Sequence, residues 1–206
     1  MKSTKDKPAI VIPLDSSNTA TVALGAAQAM ANILGAILYI VHVTGKTIPE
    51  NQLLKHLKIG SIEVQDFVLH QVIGDVVSAI LEFALSVNAK TIVISSHGIT
   101  YNPKHLLGGT AMGIMQNVTI PVMVIRPGIK NLPDAGWRPA KMLVPLDGSP
   151  EMASAMDEVF SLAKAMGVSI DILHIAVAGK KRSPKAGTLT SPEFPARRHA
   201  NGPGIY

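Results

Sequence analysis

The chain repeats one segment of itself at a constant offset of 132 residues, and this repeat restricts the fold more than any other feature. Residues 12–15 read Ile-Pro-Leu-Asp and return at 144–147 as Val-Pro-Leu-Asp. Residues 40–43, Ile-Val-His-Val, return at 172–175 as Ile-Leu-His-Ile. A repeat of this length is one supersecondary unit used twice. We therefore expect one complete domain followed by the opening part of a second.

Shifts in composition divide the rest of the chain. Three prolines and two glycines lie between 127 and 139 and indicate a linker. The end of the chain is rich in Pro, Gly, Ser, Lys and Arg and has almost no large aliphatic residues, which is typical of disorder. The predicted organisation is a complete α/β domain at 1–127, a linker at 128–139, a partial second repeat at 140–178 and a basic, disordered tail at 179–206.

One stretch is free of charge and long enough to cross a membrane. Residues 16–45 contain no Asp, Glu, Lys or Arg. The second copy nevertheless carries charged side chains at equivalent positions, namely Asp157, Glu158, Lys164 and Asp171. In hydrocarbon, such side chains would cost about 2.5–3.5 kcal/mol each. We therefore predict a buried helix and strand here, and no membrane partner.

The first seven residues and the cysteine count bear on location. The segment 1–7 is charged and leads directly into an apolar strand, without the long apolar region of a signal peptide. The chain contains no cysteine, which fits a reducing compartment. We predict a cytoplasmic protein.

The net charge of +5 resides in the tail. Residues 1–178 carry 13 basic and 13 acidic side chains, whereas residues 179–206 carry six basic and one acidic. A balanced body argues against a nucleic-acid-binding domain. The tail is the one segment whose charge would attract nucleic acid or anionic lipid, and only weakly.

Short apolar runs alternate with segments of helical pattern through the first domain. The runs predict strands at 9–14, 36–43, within 62–73, at 91–95 and at 121–125, with helices between them. This alternation predicts a doubly wound, five-stranded parallel α/β sheet. An extra βαβ unit follows at 141–177, and a lone βαβ must pack on the first domain or on a partner.

The best candidate site follows the fourth strand. Its polar and glycine residues are Ser95, Ser96, His97, Gly98, Gly108, Gly109 and Thr110. Ligands of open α/β sheets bind at the carboxyl ends of the strands, where the strand order reverses. Glycine backbone and a helix N-terminus can bind phosphate there. Equally, Gly98 can be a turn residue and the two later glycines a helix start, so both interpretations stay open.

Asp15 ends the first strand at the same edge of the sheet. One interpretation makes it part of a helix cap; the other makes it an acceptor for a ribose or a base. Direct contact with phosphate is disfavoured because two anions repel. Its copy, Asp147, has no glycine loop near it in sequence, which favours a structural role.

The histidines and hydroxyls do not form a pattern that indicates catalysis. His42 and His174 occupy equivalent strand ends, which favours packing or hydrogen bonding, whereas His97 is placed to contact a ligand. No metal-ligand spacing, nucleophile elbow or Walker A lysine is present. The sequence predicts a binding protein without a metal site.

Several segments together resemble the universal stress protein family. They are Pro13-Leu14-Asp15, the strand end at 41–43, Gly74-Asp75, and the segments 92–98, 106–108 and 121–125. The resemblance covers 7–127 as a whole domain and 140–177 as the opening of a second, truncated copy. It implies strand order 3-2-1-4-5 (adenine-nucleotide alpha-hydrolase-like) and homodimers or tandem pairs.

One branch of this family binds ATP through a loop written G-x-x-G-x9-G-[ST]. Gly98 and Gly108 keep the nine-residue spacing. Ser95 stands where the first glycine is expected, and Gly109 stands at the Ser/Thr position, with Thr110 one step later. Ser95 adds a side chain where a backbone contact is expected, and Gly109 lacks a hydroxyl that Thr110 would partly replace.

The resemblance also implies ligand contacts. The segment Pro13-Leu14-Asp15 and the backbone of Val43 would contact ribose and adenine. The phosphates would meet Ser95, Gly98, Gly108, Gly109 and Thr110.

Three hypotheses follow. The first is a stress-response protein that binds ATP or a related adenine nucleotide, alone or with Mg²⁺, without efficient catalysis. The second is an interaction module of the same family that has lost nucleotide binding and works through dimerisation with itself or an unknown protein partner. The third is a slow ATPase, for which only His97 or His105 is at hand.

Overall fold

A computed structural model describes residues 7–59, 66–98, 107–127, 134–147 and 149–174. The predicted basic tail at 179–206, together with His105 and Leu106, lies outside the described residues. Within these described ranges, seven strands form two parallel sheets, one of five strands and one of two. The predicted α/β class, parallel sheet and extra βαβ unit are confirmed.

The five-stranded sheet has the order β3-β2-β1-β4-β5, as expected. Its strands are β1 (Ala9–Pro13), β2 (Ile37–Val43), β3 (Phe67–Val72), β4 (Ala89–Ser95) and β5 (Val122–Ile125). Both faces are covered, so residues such as Ile10, Val11 and Ile12 are all fully buried. Continuous apolar runs are what a parallel sheet buried on both sides requires.

Four helices connect these strands: α1 (Asn18–Leu34), α2 (Glu50–His56), α3 (Val76–Ser86) and α4 (Gly109–Asn117). Ser17 caps α1 by accepting a hydrogen bond from the Ala20 amide, and Gly35 ends the helix in the left-handed conformation. Asp75 caps α3 by accepting from the backbone and hydroxyl of Ser78, and these bonds lower the pKa of its carboxyl.

The second βαβ repeats the first in local detail. It consists of β6 (Lys141–Leu146), α5 (Pro150–Ser154), α6 (Met156–Met166) and β7 (Ser169–His174). Ser149 caps α5 as Ser17 caps α1, and Gly167 ends α6 as Gly35 ends α1. The strand register is also repeated, since all pairs shift together by 132 residues. The single helix expected here is broken at Ala155.

Helix α1 is covered on two sides, which explains its lack of charge. Its inner side packs on β1, β4 and β5. Leu162 and Met166 of α6 pack against the same apolar cluster, and Trp137 joins them. The second βαβ therefore packs on the first domain. By contrast, the equivalent charged positions of α6 lie at the surface.

The outer face of the two-stranded sheet carries exposed apolar side chains beside the ion pair of Lys141 with Asp171. Leu143 is 62% exposed, whereas its equivalent Val11 is fully buried. Leu173 is 43% exposed, whereas its equivalent Val41 is fully buried. Apolar positions that are buried in the first copy are thus exposed in the second.

No helix in the described ranges combines the length and apolar character needed to span a bilayer. The uncharged stretch 16–45 is instead the buried helix α1 and strand β2, as predicted.

Gln28 offers a test of the packing around α1. Its Nε2 donates to Asn32 Oδ1 at 3.0 Å, but its buried Oε1 has no hydrogen-bond partner within the described part of the chain. We expect Gln28→Met to raise the free energy of unfolding by about 1 kcal/mol, because it removes an unsatisfied buried acceptor. Urea unfolding measures the change. Gln28→Glu is the control and should destabilise; a Met variant less stable than the wild type would contradict this reading.

Candidate functional site

A cleft of about 570 Å³ opens at the carboxyl edge of the five-stranded sheet. The ladder between β1 and β4 ends at Val11 and Ile92, whereas β1 pairs with β2 as far as Pro13 and β4 pairs with β5 as far as Ser95. The ends of β1 and β4 therefore separate where the strand order reverses. This is where doubly wound sheets bind ligands.

All ten residues expected to bind a ligand line this cleft. They are Pro13, Leu14, Asp15, Val43, Ser95, His97, Gly98, Gly108, Gly109 and Thr110. The structure thus brings them together around one space. Their roles as ligand contacts stay predictions.

Asp15 serves the helix cap and the cleft with different oxygens. Its Oδ1 accepts hydrogen bonds from the Ser17 amide at 3.1 Å and from the Ser17 hydroxyl at 2.6 Å. Ser17 in turn accepts from the Ala20 amide at 2.9 Å. The intervening Ser16 has a φ of 67°, a left-handed conformation that is uncommon for serine. This tight turn directs Oδ2 toward Gly98.

Gly98 lies against the side chain of Asp15. A Cβ on Gly98 would collide with Asp15 Oδ2. Its carbonyl accepts a hydrogen bond from Thr19 Oγ1 at 3.0 Å, so the first turn of α1 holds the glycine from the other side. Gly98 is therefore contacted by the Asp15 carboxylate, which follows β1, and by the Thr19 hydroxyl of α1.

Ser96 and Gly108 close the base of the loop. The Ser96 amide donates to the Ile125 carbonyl at 2.8 Å, and its carbonyl accepts from the Gly108 amide at 2.7 Å. The buried Ser96 hydroxyl lies 3.0 Å from His97 Nδ1. Gly108 then precedes α4 and has no side chain to cap it, and the first residues of that helix line the cleft.

Val43 presents backbone groups at the same edge. The Leu14 amide donates to the Val41 carbonyl at 2.9 Å, so the backbone groups of Val41 point toward β1. Two residues later, those of Val43 point the same way. They lie beyond the last β1–β2 pair, Pro13 with Val41.

The deeper wall of the cleft is apolar, and the sequence analysis did not identify it. Its residues come from α3, β4 and α4: Val76, Ile80, Ile94, Ala111 and Ile114. Apolar periodicity in a sequence does not distinguish a cavity wall from a filled core. Thr19 and His56 were also missed, since contact with Gly98 or with the cleft depends on long-range folding.

Two titratable side chains of the cleft contact neighbouring residues: His97 contacts Ser96, and Asp15 contacts Ser17. Asp15 is the only carboxylate among the described lining residues. The described residues contain no group of three potential metal ligands.

The second copy repeats the hydrogen bond between Asp15 and Ser17. Asp147 Oδ1 accepts from the Ser149 amide at 2.8 Å, as Asp15 does from Ser17. His174 and His42 likewise make equivalent contacts to the carbonyls of Leu146 and Leu14. The hydrogen-bonding role expected for both histidines is confirmed.

The contact between Asp15 and Gly98 can be tested by adding one methyl group. We expect Gly98→Ala to destabilise the protein by about 1–3 kcal/mol, because the Cβ must displace the carboxylate. Urea unfolding measures the loss. Gly109→Ala is the matched control: a Cβ there meets nothing within 4 Å, so stability should hold or rise. Equal losses in both variants would refute the close approach.

Comparison with known proteins agrees with this architecture. Residues 46–126 match the model of the Universal stress protein family. A Pseudomonas aeruginosa UCBPP-PA14 protein provisionally assigned to the universal stress proteins is 15% identical, with a TM-score of 0.57, over 83% of this chain and 62% of that one. The likeness extends beyond the five-stranded domain.

Two further structures each match somewhat more than half of the chain. A universal stress protein in complex with cAMP is 21% identical, with a TM-score of 0.49, over 58% of this chain and 97% of that one. One from Archaeoglobus fulgidus in complex with dAMP is 21% identical, with a TM-score of 0.44, over 57% and 96%. No curated protein sequence is significantly similar.

Proposed function

We propose that this chain, which contains a universal stress protein family domain, binds ATP or a related adenine nucleotide in the cleft between β1 and β4. Its role would lie in the stress response or its regulation, without efficient turnover. The observation that carries the proposal is the meeting of Asp15, Gly98 and the uncapped start of α4 around one cleft.

The rim of the cleft fits a nucleoside. Asp15 lines the cleft, with Oδ2 next to Gly98, and a carboxylate there can accept hydrogen bonds from ribose hydroxyls. The backbone of Val43 offers a donor and an acceptor for the edge of a base. The apolar wall would cover the faces of the base.

The glycines fit a phosphate. Gly98, Gly108 and Gly109 allow close approach to backbone amides, and the start of α4 adds a favourable dipole. Thr110 and Ser95 add hydroxyl donors. Open space around Gly109 means that the serine expected at this position would fit without repacking.

The absence of efficient turnover is part of the proposal. Asp15, His42, His56 and His97 are the acid–base side chains among the described lining residues, and each contacts a neighbouring protein group. A general base must also reach the attacking water, and we propose that none of these side chains does so. We expect release of inorganic phosphate from Mg-ATP to stay near the uncatalysed level.

The proposal is tested first by mass spectrometry of the purified protein, native and then denatured. We expect release of a mass matching ATP, ADP, AMP or a cyclic adenine nucleotide. Calorimetric titration with Mg-ATP then gives the affinity. A protein that carries no nucleotide and binds neither Mg-ATP, AMP nor cAMP would refute the proposal.

Three variants locate the binding in the same titration. Gly98→Ala should weaken binding about tenfold or more, because Asp15 is displaced. Gly109→Ser should strengthen binding about threefold to tenfold by adding a hydroxyl donor. Gly109→Ala, which adds the Cβ alone, is its control. Unchanged affinity in Gly98→Ala would place the nucleotide elsewhere.

We also propose that the chain forms a homodimer through β5. This strand is the last of the sheet and, within the described residues, pairs with β4 alone. Its other edge carries backbone groups that a second β5 can satisfy. Light scattering at micromolar concentration should give twice the monomer mass, falling on dilution. A monomer throughout would exclude this dimer.

A further inference from the structure

We infer that His42 is a positioning residue of the cleft, because its ring holds the Leu14 carbonyl and thereby sets Asp15 against Gly98. The inference deepens the proposed nucleotide site and rests on it for its functional meaning. His42 itself need not touch the ligand. It acts through the peptide group that precedes Asp15.

The direction of the hydrogen bond is fixed by chemistry. His42 Nδ1 lies 2.8 Å from the Leu14 carbonyl oxygen. A carbonyl oxygen only accepts, so Nδ1 carries the proton in both the neutral and the charged ring. The Leu14 amide donates at the same time to the Val41 carbonyl at 2.9 Å. Leu14 is therefore held by β2 through both of its backbone polar groups.

Fixing the Leu14 carbonyl fixes the start of Asp15. The carbonyl and the Asp15 amide belong to one planar peptide group, so the ring of His42 sets its orientation. Asp15 then spans Ser17 with Oδ1 and Gly98 with Oδ2. Thr19, in the first turn of α1, also holds Gly98 by donating a hydrogen bond to its carbonyl. The bond from His42 to Leu14 is therefore the first in a series of contacts that continues through Asp15 to Gly98.

The ring of His42 is itself held in place. It is buried, and the ring of His56 packs edge-on against it with 5.5 Å between centroids. His56 lies at the end of α2, which is anchored by the fully buried Leu53 and Leu57. A ring fixed on both sides positions a carbonyl better than a mobile donor would.

The second copy contains the same histidine–carbonyl contact, without a glycine loop beside it in the described part of the chain. His174 Nδ1 lies 3.1 Å from the Leu146 carbonyl oxygen. These two residues are equivalent to His42 and Leu14 in the repeat, but His174 is exposed. The residue equivalent to Thr19 is Glu151, and β6 pairs with β7 alone among the described strands. The same bond therefore exists where no glycine loop depends on it.

Asparagine and glutamine distinguish the two ring nitrogens. The amide nitrogen of asparagine is bonded to Cγ, as Nδ1 is, whereas that of glutamine lies one bond farther out, like Nε2. His42→Asn should keep the bond to Leu14. His42→Gln and His42→Leu should lose it. His174→Leu removes the equivalent bond from the second copy and is the matched control.

Titration of the full chain with Mg-ATP provides the first measurement. We expect His42→Leu and His42→Gln to weaken binding about threefold to tenfold, the effect of one hydrogen bond. His42→Asn should stay within about twofold of wild type, and His174→Leu should not differ from it. Equal affinity in His42→Leu and wild type would overturn the inference. So would equal weakening by His42→Leu and His174→Leu.

A measurement without ligand distinguishes failure of the inference from failure of the proposed function. The amide resonance of Gly98 should shift in His42→Leu and His42→Gln and return to its wild-type position in His42→Asn. If wild type binds no nucleotide but this pattern holds, His42 still positions the cleft and only the ligand is wrong. An unmoved Gly98 resonance in folded His42→Leu or His42→Gln would refute the positioning role.

Discussion

The contact between Asp15 and Gly98 links the two halves of the sheet at the place where they separate. The first half, β1 with β2 and β3, contributes the carboxylate; the second half, β4 with β5, contributes the glycine. Strands that diverge leave a gap between their ends. The side chain of Asp15, from the first half, lies against the backbone of Gly98, from the second half, and this contact closes one side of the gap. The cap of α1, the turn at Ser16 and the bond from Thr19 all serve this contact.

Much of the fold could be predicted from the sequence because local signals agreed with one another. The apolar runs marked the strands of the first domain, and the repeat marked the first βαβ unit a second time. The differences are small: β3 begins at Phe67, inside the wider range expected, and β4 starts two residues early at Ala89. The break at Ala155 was not predicted, since the residues around it have ordinary helix propensity.

The site was predictable only in part. Residues with unusual chemistry, such as Asp15 and the glycines, stood out at strand ends, and topology placed those ends on one edge. Val76 and Ile80 did not stand out, because an apolar side chain in a cleft wall has the same sequence pattern as one in the core. Thr19 was hidden for another reason. Its partner lies 79 residues away, and no local pattern encodes that distance.

Burial of α1 between a sheet and α6 has a consequence for how the two copies can evolve. Duplicated segments exchange sequence by gene conversion, but here the exchange is not symmetric. Copying the first segment onto the second would replace surface carboxylates with small neutral residues. Copying in the opposite direction would put Glu158 in place of Ala26, which is fully buried. An unpaired carboxylate there has no solvent and no partner. Conversion of the first segment by the second is therefore disfavoured at this position.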